Sequence, residues 1–100
     1  MNDWNMILEI AEFDISSGNE NLFEEATHSA KKVISQSKGF VSIEFRKCLE
    51  KPTRFLAFIK WETLEDHTVG FRESPLFTEW RAILSPYFNS APVALHYNLI

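Results

Sequence analysis

The stretch FLAFIKWETLEDHTVGFRESPLFTEWRAILSP, residues 55–86, decides how this chain is read. Its first seven residues are aromatic or aliphatic at every position except Lys60. A half-buried strand alternates apolar and polar side chains because they point to opposite faces, so a strand this apolar is covered on both sides. Thr63 then supplies an N-cap, and Glu65 and Asp66 place negative charge where the helix dipole is positive, which predicts a helix from Leu64. Leu64, His67 and Phe71 recur at i, i+3 and i+7, one helical face, expected to lie against the sheet with His67 among apolar neighbours. Gly70 weakens this helix, and Ser74-Pro75 restarts it, with Ser as cap and Pro at the first helical position. Leu76, Phe77, Trp80, Ile83 and Leu84 carry the inward stripe of the second piece, which ends before Pro86.

Working outward toward the N-terminus, residues 40–49 alternate cleanly, Val41, Ile43, Phe45 and Leu49 against Ser42, Glu44, Arg46 and Cys48. With the short turn Glu50-Lys51-Pro52-Thr53 they predict an antiparallel hairpin with the central strand. Before them lies a helix opened by the capping-box pair Ser17 and Glu20, with Leu22, Phe23, Ala26, Ala30, Val33 and Ile34 inward, His28 outward and Lys38-Gly39 as its stop. Residues 6–13 form a first strand, Met6, Leu8 and Ile10 on one face and Ile7, Ala11 and Phe13 on the other. On the C-terminal side a loop at residues 89–92 leads to a last strand at 93–98, with Val93, Leu95 and Tyr97 on one side.

The order β-α-β-β-α-β, with the second helix split, predicts one α+β domain over residues 1–100, a ferredoxin-like four-stranded antiparallel sheet with helices on one face. The first and third strands are apolar on both sides, so the helix-free face would be an apolar patch of a size soluble monomers rarely carry. A second copy of the chain is the expected cover, giving a two-fold homodimer through the sheet face.

One hundred residues bury roughly 60% of their unfolded surface, enough for an independent core. A net charge of −4 without a basic cluster argues against nucleic acid. The single Cys48 allows no internal disulfide. No apolar run approaches the roughly 20 residues of a membrane span, and Met1-Asn2-Asp3-Trp4 has no basic region ahead of an apolar one, so a cytoplasmic protein that engages no membrane is expected. Gly18, Gly39 and Gly70 are isolated, which leaves no phosphate loop. His28, His67 and His96 fall on different elements without metal-ligand spacing, so neither metal nor cofactor is expected.

Several of these residues together carry a family likeness. Gly39-Phe40 leading into the second strand, Trp61 to His67 after the third, Phe71 with Arg72 and Ser74, and Phe77 with Trp80 resemble the antibiotic biosynthesis monooxygenase (ABM) superfamily of dimeric α/β-barrels. The resemblance implies a pocket between sheet and helices in each subunit, binding a small apolar or aromatic molecule. It further implies a cofactor-independent monooxygenase acting on a quinol-like compound. Isomerases and non-catalytic dimeric binding or stress-associated proteins share the fold and stand as alternatives. The haem-degrading branch uses an Asn in the first strand, where residues 6–13 have none, so haem is not expected.

His67 is the candidate catalytic residue. A neutral imidazole can take a proton from a phenol near neutral pH, leaving an electron-rich anion able to react with oxygen. Trp61, Phe71 and Trp80 can line a slot for a flat ring, Arg72 and Arg81 can hold an anionic group, and Tyr87 can offer a hydroxyl from a mobile loop. The opposing readings are a core histidine bonded to backbone, aromatics that only pack, and arginines paired with Glu73 and Glu79 on a solvated helix. His96 has the opposite parity to Leu95 and Tyr97 and faces either the pocket or the dimer seam. Glu9 and Glu44, in strand interiors, need partners if buried, and Arg46 is the obvious cation.

Overall fold

Residues 6–100 are described by the computed structural model; the reading of residues 1–4 falls outside them. Strand β1 (Ile7–Asp14) leads to helix α1 (Glu20–Ile34), the hairpin of β2 (Phe40–Lys47) and β3 (Arg54–Trp61), a π-helical turn (Asp66–Phe71), helix α2 (Pro75–Leu84), a 3-10 turn (Ser85–Tyr87) and β4 (Val93–Tyr97). The sheet is antiparallel throughout in the order β2-β3-β1-β4. This is the ferredoxin-like β-α-β-β-α-β arrangement expected from the sequence.

The two-faced strands β1 and β3 occupy the centre, where a strand has a neighbour on each side. Pairing Ala11 with Ala57 and Phe13 with Phe55 puts one inward set of side chains opposite another. Ala11, Phe13, Phe55, Ala57, Ile59 and Trp61 are buried, together with Phe23, Ala30 and Ile34 of α1 and Trp80 and Leu84 of α2. The alternate residues Leu8, Ile10, Leu56 and Phe58 are only partly covered, and Val93, Leu95 and Tyr97 are exposed. The helices therefore cover one face of the sheet and leave the other open.

The structure corrects several local expectations. β2 stops at Lys47, two residues early, and Leu49 is exposed. A bulge between Phe40 and Ser42 resets the strand's alternation, so Phe40 joins Ile43 and Phe45 against the core while Val41 turns outward. Helix α1 has Asn19 at its N-cap; Ser17 does not cap it, and Glu20 reaches back to accept the Gly18 N–H at 2.7 Å. Leu22 is exposed, and Thr27 takes its place in the buried stripe. The helix ends at Ile34, ahead of the Lys38-Gly39 stop, and turns carry the chain to Gly39, whose φ is +82°.

The largest departure follows β3. Thr63 does cap the next turn, its Oγ1 accepting the Asp66 N–H at 3.1 Å, but the turn widens into π geometry. The Arg72 N–H donates to the His67 carbonyl five residues back, the mark of π winding. With more residues per turn, His67 and Phe71 stay buried while Leu64 swings outward, so the predicted three-residue face becomes two. Ser74 and Pro75 start α2 as expected, although the Ser74 hydroxyl donates back to the Phe71 carbonyl and caps nothing.

Candidate active site

The site is built on strand register. Glu9 pairs with Ile59 on one side and with His96 on the other, and the parity that buries Ala11 and Phe13 turns Glu9 toward the helices too. Glu9 is 4% exposed. Trp61, at the end of β3, points the same way and its indole N–H donates to Glu9 Oε1 at 2.9 Å. The π turn lowers His67 onto this group from above. Its ring stacks on Trp61 with centroids 5.3 Å apart and planes at 21°, its Nε2 lies 3.4 Å from Glu9 Oε1, and its Nδ1 lies 2.7 Å from His96 Nε2.

Burial sets the charge of this cluster. It raises the Glu9 carboxyl to about 7, against which the Trp61 hydrogen bond and the positive charge of Arg72 pull downward. It lowers His67 to about 4, with Arg72 and His96 pushing the same way, and lowers His96 by the same burial and by Arg72. The 3.4 Å approach of His67 to Glu9 would be an ion pair only if His67 were charged, and desolvation opposes that. At neutral pH both imidazoles are therefore neutral.

Of two neutral imidazoles at 2.7 Å one donates to the other, and the ionisation of Glu9, 3.4 Å from His67 Nε2, biases which of them does so. With Glu9 protonated, its hydroxyl faces His67 Nε2, and His67 Nδ1–H donates to His96. With Glu9 ionised, His67 Nε2–H faces the carboxylate, and His96 Nε2–H donates to His67 Nδ1. The three side chains thus form one chain along which a proton can shift.

Glu9 and His67 open on a cavity of about 410 Å³ between the sheet and the helices. Its walls are mainly apolar, with Ala11, Phe13 and Ile59 below, Phe71, Phe77 and Trp80 above, and Ser90, Ala91 and Pro92 across one end. Arg72 and Arg81 also border it and are exposed at the rim. Among the described residues no carboxylate pairs with either; Arg81 lies over the Phe77 ring at 5.9 Å.

The antibiotic biosynthesis monooxygenase (ABM) family model matches residues 6–83 of the chain. The chain belongs to the ABM family. It is 39% identical over 92 residues to the uncharacterized protein YczJ of Bacillus subtilis (strain 168), covering 92% of this chain and 97% of that one. Among solved structures it is similar to a Bordetella bronchiseptica protein named "Putative antibiotic biosynthesis monooxygenase", with TM-score 0.93 and 30% identity over 96% of this chain and 98% of that one. It shares its fold with SnoaB, a cofactor-independent oxygenase from Streptomyces nogalater, with TM-score 0.79 and 14% identity over 95% and 93% of the two chains.

Of the residues singled out in the sequence of this ABM-family protein, His67, Phe71, Arg72, Trp80 and Arg81 border the cavity. Two stand elsewhere. Trp61 is fully buried behind His67 and acts through its ring and its N–H to Glu9. Tyr87 lies in the 3-10 turn, held by its carbonyl accepting the Ser16 N–H at 2.8 Å, and its neighbour Phe88 forms the cavity wall instead. Arg46 does not serve Glu9; it pairs with Glu44 at 3.1 Å on the surface. His96 faces the helix side, next to His67. Glu9 and His96 are the members that sequence reasoning left unassigned. The signal for Glu9 was an acid at an inward position of a two-faced apolar strand.

Proposed function

We propose that this protein is a cofactor-independent monooxygenase acting on a small flat aromatic molecule of the quinol or anthrone type. The observation that carries the proposal is an apolar cavity with buried His67 at its base and, at its rim, Arg72 and Arg81, which pair with no carboxylate among the described residues. The slot between Phe71, Phe77 and Trp80 suits a ring system. The bound hydroxyl or activated CH2 passes its proton to the Glu9–His67–His96 chain, in which His67 is the middle relay because Glu9 and His96 engage its two ring nitrogens, and Arg72 or Arg81 holds the resulting anion. The anion donates an electron to dioxygen, the radical pair joins at carbon, and the peroxide anion takes back the proton held by the cluster. The hydroperoxide then loses water, leaving a carbonyl. One oxygen atom enters the substrate, the other leaves as water, and the substrate supplies both electrons. Family membership and the fold shared with SnoaB, itself a cofactor-independent oxygenase, support this reading.

The same proposal makes the protein a cytoplasmic homodimer. Among the described residues no helix is long and apolar enough to cross a membrane. The open sheet face, with Leu8, Ile10, Leu56 and Phe58 half-covered and Val93 and Leu95 more than half exposed, suits a second copy of the chain. Light scattering at micromolar concentration should return twice the chain mass; a monomer would remove this part of the reading.

The decisive test is oxygen uptake by chelator-treated protein on a panel of reduced naphthoquinones and anthrones. Uptake above autoxidation that disappears in His67→Ala supports the assignment. A folded dimer that consumes no oxygen across the panel overturns it.

A further inference from the structure

The cluster beneath the cavity has a second capacity that proton transfer does not use. We propose that Glu9, His67 and His96 form a binding site for one first-row divalent transition-metal ion, with its free coordination positions facing the cavity. The ligand atoms of the three side chains all lie within 4.8 Å of one another. An ion bonded to nitrogen and oxygen at about 2.0–2.2 Å holds its donors about 3 Å apart, so binding takes one His67 nitrogen and a side-chain rotation that ends the 2.7 Å contact of His67 Nδ1 with His96 Nε2.

The donor set selects the ion. Two imidazoles and one carboxylate on one side of a metal are the facial arrangement that suits Fe2+, Co2+ and Zn2+, whereas Mg2+ and Ca2+ take oxygen ligands. The ligands come from three separate elements, β1, the π turn and β4, and the Glu9–His96 pair is fixed by ladder register. Trp61 donates to Glu9 Oε1 and so orients the carboxylate from behind, the part an outer-shell partner plays in metal sites. Glu9 and His67 both border the cavity, so the remaining coordination positions open toward it. Arg72 opposes a cation here, but it is exposed at the rim and screened by water.

This proposal rests on no part of the oxygenase reading. Oxygen uptake by metal-free protein tests that one, and metal titration tests this one. The full chain, stripped with chelator, is titrated with Co2+ followed by visible absorption and with Zn2+ followed by calorimetry. The expected result is one ion per chain, weakened at least 100-fold in both Glu9→Gln and His96→Ala, with folding of each variant checked by circular dichroism. In wild-type protein the imidazole resonances of His67 and His96 should shift with Zn2+ while those of exposed His28 stay in place, a readout that does not depend on any variant folding. Absence of binding, affinity unchanged in the variants, or a shift confined to His28 would overturn the site.

Discussion

Glu9 and His96 stand directly opposite each other across the β1–β4 ladder, both turned to the helix side of the sheet, and His67 closes onto both from the π turn. Backbone hydrogen bonding of the sheet therefore fixes two members of the cluster relative to each other. The third depends on how one irregular turn is wound.

Stability should depend on pH through this cluster with two opposing limbs. Glu9 is raised from 4.5 to about 7, so its contribution is full below pH 4.5 and is lost as pH rises through 7. His67 is lowered from 6.5 to about 4, so its contribution is full above pH 6.5 and is lost as pH falls through 4. Between pH 4.5 and 6.5 the two largely offset, with His96, also lowered, adding to the histidine limb. Glu9→Gln removes one limb. Its stability should climb with pH from 4 to 6.5 by on the order of 3 kcal/mol, against a shallower wild-type slope. Urea melts at intervals of half a pH unit measure this, and parallel profiles for the two proteins would refute it.

Trp61→Phe isolates the N–H that serves Glu9. Phenylalanine keeps an aromatic surface beside His67 and removes the donor 2.9 Å from Glu9 Oε1. The variant should lose about 1–3 kcal/mol, the cost of leaving a buried polar group short of a partner, together with some packing loss. Because the bond lowers the Glu9 pKa, its removal should push that carboxyl further upward. Carboxyl 13C titration of wild type and variant reads the shift, and an unmoved Glu9 would show that the indole bond has no electrostatic weight.

Much of this was legible in the residues. The order of apolar segments, β-α-β-β-α-β, marked the ferredoxin-like sheet, and the helix stripes through Phe23, Ala30, Ile34, Trp80 and Leu84 marked its covered face. Other features were not, for physical reasons. The bulge at Phe40 and Ser42 reverses the role of Val41, and the glycine beside it, Gly39, reads in the sequence as the stop of the preceding helix. The π winding places His67 through backbone bonds to Arg72, and side-chain periodicity cannot reveal those. Glu9 and His96 each had the correct parity in their own strand, but their meeting depends on inter-strand register, which neither segment encodes alone.

Gly39 should tolerate substitution much less well than Gly18. Both have positive φ, +82° and +95°, so a side chain strains the backbone at either position. A Cβ at Gly18 meets open space, whereas one at Gly39 runs into the side chain of Asp66, the first residue of the π turn. Gly18→Ala should cost about 1 kcal/mol, the left-handed penalty alone. Gly39→Ala should cost more, up to about 3 kcal/mol, and should displace His67 through Asp66. Paired denaturant midpoints, with the His67 imidazole shift as a local reporter, test the contrast. Equal losses would mean that the Asp66 contact yields freely.

Arg72→Gln separates field from contact. The Arg72 charge lowers Glu9, His67 and His96 alike, and no carboxylate among the described residues neutralises it. Removing it should raise all three pKa values together, His67 and His96 moving back toward the ordinary histidine range and Glu9 moving further from the ordinary carboxylate range. The shifts should shrink in both proteins' comparison at high salt, because the guanidinium is exposed at the rim and its field is screened within about 10 Å at 0.1 M ionic strength. Stability should change little, since an exposed arginine without an ion pair contributes little packing or Coulomb energy. Two-dimensional imidazole NMR across pH at low and high salt supplies the test. Histidine pKa values identical in wild type and variant at low salt would show that Arg72 points its charge into solvent, and the anion clamp at the cavity rim would then fall to Arg81 alone.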